Sequence, residues 1–151
     1  MSQAEALMFG YRGWRRQWGQ ERFCGGALVW QLNDCWPVTS WSIVDYFQRK
    51  KPAYYAMRRV LAPIAVAVKR AHFDWSVVHA RVPPKIDFEL WVACQKQEEV
   101  KATVELRFIS IKTGKDIKEK IVKKDITLVQ NGTTDVLSGT CLLYTSDAAD
   151  E

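Results

Sequence analysis

Between Gly25-Gly26 and Asn33-Asp34 the chain runs Ala-Leu-Val-Trp-Gln-Leu, residues 27–32, and no other feature of its 151 residues limits the possible folds as much. A strand in a half-exposed sheet alternates apolar and polar side chains, whereas a nearly unbroken apolar strand is what a parallel strand buried on both faces looks like. Such a strand needs a neighbour on each side and a covering layer on each face. The residues up to Pro63 hold material for that strand and two helices, which cannot supply them. The expectation is therefore that the chain begins inside a longer polypeptide, with Met1 an internal methionine or the edge of a read.

The flanking segments have helical periodicity. Ser2 with Glu5 three residues on reads as a capping box, and Ala4, Leu7, Met8, Tyr11, Trp14 and Trp18 form one apolar stripe at steps of three and four. Arg12, Arg15, Arg16 and Gln17 fall on the opposite face. Gly10 and Gly13 weaken this helix, so packing must hold it. Past the apolar run, Trp41 to Phe47 reads as partly extended. Pro52 then suits the first turn of a second helix with Tyr54, Met57, Val60 and Leu61 on its apolar face, Arg58 and Arg59 at its end, and Pro63 as its stop. Helix, buried strand, polar strand end, helix is the rhythm of an α/β layer.

At Pro63 the period changes. Val66 and Val68, then Trp75 to Val82, read as strands. Ile86, Phe88, Leu90 and Val92 alternate with Asp87, Glu89, Trp91 and Ala93, and Val100 to Phe108 alternates most clearly of all. One polar face and a period of two mean antiparallel sheet. Lys112-Thr113-Gly114-Lys115 predicts a hairpin turn, Ile117 to Val129 a long strand, and Asn131-Gly132 another turn. Residues 64–140 thus predict a β-sandwich of roughly six strands, close in size to an immunoglobulin-like domain, joined to residues 1–63 without a flexible linker.

Composition closes off several functions. The most hydrophobic stretch, Val60 to Val68, is too short for a membrane span and is broken by Pro63. The excess of 22 basic over 17 acidic residues, +5, is spread along the chain, where a nucleic-acid partner would want it clustered. Cys24, Cys35, Cys94 and Cys141 lie 11, 59 and 47 residues apart, which fits neither zinc pairs nor a small disulfide framework, so buried free thiols are expected. His72 and His79 lack acidic or cysteine companions, so no metal and no cofactor are expected. Asn131-Gly132-Thr133 is a glycosylation pattern that matters only in a secreted protein. The odd count of Cys24, Cys35 and Cys94 leans toward a reducing, intracellular compartment. Residues 141–151, from Cys141 to Glu151, resemble a reading frame of the transposon-end adapter used in sequencing-library preparation and are set aside as an artefact.

The segment CGGALVWQLNDCWPVTSWSIVDYF, Cys24 to Phe47, with KKPAYYAMRR from Lys50 to Arg59, closely resembles the end of the catalytic barrel in β-mannosidases of glycoside hydrolase family 2, fungal ones in particular. GYRGWRRQW, Gly10 to Trp18, is similar to the preceding helix of those proteins, and VELRFISIKTG, Val104 to Gly114, more weakly to the sandwich that follows. The resemblance implies that residues 1–63 are the last strand and flanking helices of a (β/α)8 barrel, an architecture of about 250 residues when complete. It also implies a retaining exo-hydrolase that removes terminal β-linked mannose from the non-reducing end of oligosaccharides. That chemistry needs two carboxyl groups about 5 Å apart, which the family carries as glutamates on earlier strands. Neither glutamate motif occurs here, so the chain by itself is expected to be inactive.

Barrel enzymes build their sites at the carboxyl ends of strands, and Trp30 matches the family's strand-end tryptophan that walls the sugar. A sugar offers C–H faces to an aromatic ring and hydroxyls to amides and carboxylates. Trp30 with Asn33 or Asp34 supplies both, and Trp36 closes the rim. Interlayer packing for the two tryptophans and turn capping for Asp34 remain open, while Asp45 is expected to orient the connection to the second helix. Two other functions stay alongside: another exo-β-glycosidase of the same family, or a non-catalytic sandwich module binding carbohydrate or protein.

Overall fold

The computed structural model describes residues 2–19, 22–70, 85–110, 112–117 and 121–142. Helix α1 (Ser2–Arg16) and helix α2 (Pro52–Val60) pack on each other through Ala4, Tyr11, Ala53, Ala56, Met57 and Val60, with Ile43 from the intervening segment. The α1 stripe holds at its start, where Leu7 and Met8 join this core, but Trp14 is half exposed. On the basic face Arg15 is buried and Arg16 faces the sandwich, while Gln17 is exposed. Pro52 opens α2 as expected, leaving Lys51 as its N-cap.

The apolar run at 27–32 is not a strand. Residues 22–32 form an irregular segment, and short pairings follow it, parallel between Asn33 and Val44 and antiparallel between Val44 and Lys50. Leu28 is 98% and Trp30 75% exposed. Strand geometry is held by ladder hydrogen bonds; among the described residues only Ile43 and Val44 reach the run, bonding the Gln31 and Leu32 carbonyls at its end, and residues 27–30 have no ladder partner.

From Ile64 onward the chain is antiparallel sheet. Strands β1 (Ile64–Arg70), β2 (Lys85–Cys94) and β5 (Gly132–Leu142) form one sheet in the order β1-β2-β5, and β3 (Val100–Leu106) pairs with β4 (Val122–Leu128) in a second. Their shared core is Leu90, Val92, Cys94, Leu128 and Val136, flanked by Val100, Ala102, Val104 and Ile126. The turn at Lys112–Lys115 is present, with Ile109 paired to Asp116 across it. The expected long strand from Ile117 is described as β4 from Val122. The strand expected at Trp75–Val82, with His72 and His79, and residues 143–151 lie outside the described residues.

One departure from alternation matters. Along β2 to β5 the register pairs Leu90 with Leu137 but Trp91 with Asp135, so Val136 is an extra residue, a bulge. Regular pairing would have aimed Asp135 into the sandwich. The bulge instead sends Val136 into the core and leaves Asp135 on the outer face beside Trp91 and Glu89. There the end of α1 covers the sheet, with the Arg16 guanidinium 4.6 Å from the Trp91 ring centre and paired with both Glu89 and Asp135. The face of β2 expected to be polar is thereby buried at Trp91 and Ala93.

Thr133 completes this junction by donating its hydroxyl to the Arg15 carbonyl at 3.0 Å. Gly19 comes so close that a side chain added to it would stand 3.1 Å from the Gly132 Cα, and it adopts a φ of +111°. No described helix is long and apolar enough to cross a membrane. Of the cysteines expected to be buried free thiols, Cys94 is buried, Cys24 half-buried and Cys35 exposed, and all three are free.

Candidate functional site

The polar group just past the apolar run organises the segment between the helices. Asp34 is 5% exposed. Its Oδ1 accepts from the Ser40 hydroxyl at 2.5 Å and its Oδ2 from the Ser42 hydroxyl at 2.6 Å. The Lys51 ammonium donates to the Ser42 hydroxyl at 2.9 Å and the Ser40 carbonyl at 3.2 Å, and lies 3.8 Å from Asp34 Oδ2. The Ser40 and Ser42 hydroxyls hold the Asp34 carboxyl below the usual carboxylate range, helped by the Lys51 charge and opposed by burial. Backbone bonds run beside the cluster, from Ile43 N to the Gln31 carbonyl, Val44 N to the Leu32 carbonyl and Asp34 N to the Val44 carbonyl. Asp34 therefore ties the end of the apolar run to the start of α2, and both its oxygens are engaged.

The aromatic candidates face outward. Trp30, which precedes a cis peptide to Gln31, is 75% exposed and Trp36 68%, with Trp41 and Phe47 similarly open. Asn33 is exposed, and its amide donates to the Asp34 carbonyl at 3.3 Å. The site candidates thus divide in two: Trp30, Asn33 and Trp36 on the surface, and Asp34 beneath it in the network. Asp45 caps the turn before α2, accepting from the backbone N–H and the Nε of Arg49 at 2.8 and 2.6 Å. Burial raises its carboxyl, but the Arg49 bonds carry it below the usual range.

Sequence reasoning missed Ser40, Ser42 and Lys51. The available signal was the Thr39-Ser40-Trp41-Ser42 alternation, in which two hydroxyls share a side. Among the described residues no group of three His, Cys, Asp or Glu side chains is placed to hold a metal ion.

Residues 87–149 match the family described as Mannosidase Ig/CBM-like domain. The chain is 64% identical over 135 residues to Beta-mannosidase B of Aspergillus terreus, spanning 89% of this chain and 16% of that protein. It is 58% identical over 146 residues to Beta-mannosidase B of Aspergillus niger, 97% of this chain and 17% of that one. A crystal structure of β-D-mannosidase from Dictyoglomus thermophilum superposes on 95% of this chain and 15% of its own, with a TM-score of 0.60 and 26% identity. The chain is similar, over nearly all its length, to about one sixth of the length of these proteins.

Proposed function

We propose that this chain is a portion of a retaining exo-β-mannosidase, comprising the last strand and flanking helices of its (β/α)8 barrel (residues 1–63) and the immunoglobulin-like sandwich that follows (64–140). The observation that carries the reading is the 64% identity to Beta-mannosidase B over 135 residues, a stretch long enough to include residues 30–36. In the intact enzyme, strands that this chain lacks would lie alongside residues 27–32, draw them into parallel pairing and turn the segment's exposed side chains into barrel interior and active-site wall.

Trp30 and Trp36 are the aromatic surfaces of that wall, and the Asn33 amide is a hydroxyl partner. Asp34, with both oxygens engaged by serines, acts beneath them: it fixes the backbone from which Trp30 and Asn33 project. The acid/base and nucleophilic carboxyls belong to other parts of the parent, since the glutamates described here sit on α1 (Glu5), on the sandwich strands or in the turn after β2. A β-mannoside oligosaccharide is the substrate class.

The test is hydrolysis of an aryl β-mannoside by the intact parent and by the 151-residue chain. The parent should release aryl alcohol and β-mannose first, as retention requires, and the chain should release none above the buffer rate. Preference of the parent for an aryl β-galactoside or β-glucoside would move the assignment to a neighbouring exo-β-glycosidase. Turnover by the chain itself, stopped by a mannose-like inhibitor, would overturn the placement of both carboxyls elsewhere.

A further inference from the structure

The two strands of the second sheet are finished differently at their outer edges. β3 and β4 pair without interruption from Val100 with Leu128 to Leu106 with Val122, and each has one open edge among the described residues. Folded proteins blunt an open edge with a proline, a bulge or a charge aimed inward, because unpaired backbone groups recruit other strands. β4 has such a charge. Lys124, opposite Val104, lies on the inward row and donates its ammonium to the Val136 carbonyl of the first sheet at 2.7 Å. β3 has none of the three devices: its inward row is Val100, Ala102, Val104 and Leu106, its charges Lys101 and Glu105 lie on the outward row, and it holds neither proline nor bulge. β4 is built as the end of a sheet and β3 as an interior strand.

The first sheet is uncovered at the matching place. Ile64, Val66 and Val68 of β1 pair with Cys94, Val92 and Leu90 of β2, and antiparallel partners project from the same face. The three β2 side chains are at most 4% exposed, whereas those of β1 are 40%, 55% and 41% exposed. β4 lies against β5, and Val100, Ala102 and Val104 of β3 pack on the core side chains of β2. The next row of the second sheet, beyond the open edge of β3, is therefore the one that faces β1. Unpaired backbone and uncovered apolar side chains meet along one line.

We propose that the open edge of β3 is a strand-acceptor site, filled in the intact parent by a strand from the polypeptide that follows β5. This strand is about seven residues long, to match β3, and alternates apolar with polar side chains so that its inward row covers Ile64, Val66 and Val68. Backbone bonds to β3 hold it and the three aliphatic side chains set its register. The following chain is the nearest source: β5 ends in the first sheet, and about five residues cross the roughly 10 Å between packed sheets and the width of two strands. The relatives matched here are about six times as long as the matched stretch, which leaves chain to supply it. The inference rests on the reading of this chain as a portion of a longer polypeptide and not on the sugar that the polypeptide hydrolyses.

Amide exchange of residues 100–106 and 122–128 is compared in the 151-residue chain, kept below the concentration at which it associates, and in the intact parent. In the chain, roughly half the amides of each strand should be protected, those bonded across the pair. In the parent the protected number should about double on β3 and stay unchanged on β4. The donor is identified in the parent with a benzophenone amino acid in place of Thr103, on the outward row of β3, whose photo-crosslinks other than those to β4 should fall within the residues that follow β5. Equal protection of β3 in the two proteins, a doubling on β4 instead, or crosslinks to another region of the parent or to a second copy would overturn the proposal. Should the 151-residue chain not fold alone, the contrast between β3 and β4 within the parent, together with the crosslink, still decides. Both readouts are structural, so a parent that prefers another glycoside would leave them unchanged.

Discussion

At the scale of single residues, Asp34 is held by Ser40 and Ser42, six and eight residues away, whose hydroxyls engage both its carboxylate oxygens, a pairing at separations that no periodic signal encodes. The pairing has a pH signature. The folded carboxyl is held below its unfolded value of about 3.9, so its stabilising contribution is complete above that value and is lost as pH falls through the depressed folded value. Hydrogen exchange at Ile43 and Val44, whose N–H groups bond the Gln31 and Leu32 carbonyls, should therefore gain on the intrinsic rate once pH drops below about 4. Protection unchanged down to a pH of about 2 would show that the network does not hold this segment. Trp30 and Trp91 separate the surface role from the core role. On the proposed reading, Trp30→Ala in the intact parent should lower the rate by removing a wall of the sugar site, since a misplacement of about 1 Å can cost roughly a hundredfold. Trp91, 3% exposed beneath Arg16, should on truncation cost about 3–5 kcal/mol of stability and leave the folded fraction active. Asn33→Ala should fall nearer Trp30, because a methyl cannot replace the amide toward a hydroxyl. Steady-state kinetics normalised to folded protein by circular dichroism checks all three; wild-type kcat/KM in Trp30→Ala with loss in Trp91→Ala would put Trp30 in the core.

At the scale of elements, two helices and an antiparallel sandwich were readable because each has a period and its punctuation: Pro52 and Pro63 bound α2, and strict alternation marks β3. The bulge at Val136 was not readable. The sequence Thr134-Asp135-Val136-Leu137 alternates no better in one register than in the next; the outward choice avoids burying the Asp135 carboxylate beside Val92 and gives it the arginines at and after the α1 terminus. The two sides of the bulge should differ in energy. Asp135 is half exposed, and although burial raises its carboxyl, bonds from Arg22 and pairing with Arg16 bring it below the usual range. Solvent screening limits such a pair, so Asp135→Asn should cost no more than about 1 kcal/mol and less in high salt. Leu90→Ala, in the core on the other face, should cost about 2–5 kcal/mol. Exchange protection of the β2 amides measures both locally, and an Asp135→Asn loss equal to that of Leu90→Ala would mean that the ion pairs, not the sandwich core, hold this sheet to α1.

For the whole molecule, the run at 27–32 told more by what it required than by what it formed. Read as a doubly buried strand it called for neighbours; among the described residues only Ile43 and Val44 bond its end, and while Ala27 and Val29 pack against the helices, Leu28, Trp30 and Leu32 on the other side lie open. The apolar side chains from Phe23 to Phe47 are the consequence: Phe23 and Leu28 are each 98% exposed, and Trp30, Trp36, Trp41 and Phe47 all exceed 60%. Soluble monomers rarely expose apolar surface this contiguous in sequence, and such surface associates when nothing covers it. The sandwich contributes less, because its exposed apolar side chains, Ile64, Val66 and Val68 on β1 with Ile109, Val122 and Val129 elsewhere, are smaller and only partly open. The 151-residue chain should therefore self-associate as its concentration rises, with light-scattering mass growing well beyond that of a monomer. Replacing Leu28 and Trp41 by lysine should suppress this, since Leu28 lies in water and Trp41 mostly so and their loss removes little packing, while Val66→Lys should suppress it far less. A wild-type chain that stays monomeric across the concentration range and melts in one cooperative transition would show that residues 22–47 find internal cover, and the need for neighbouring strands would fall with it.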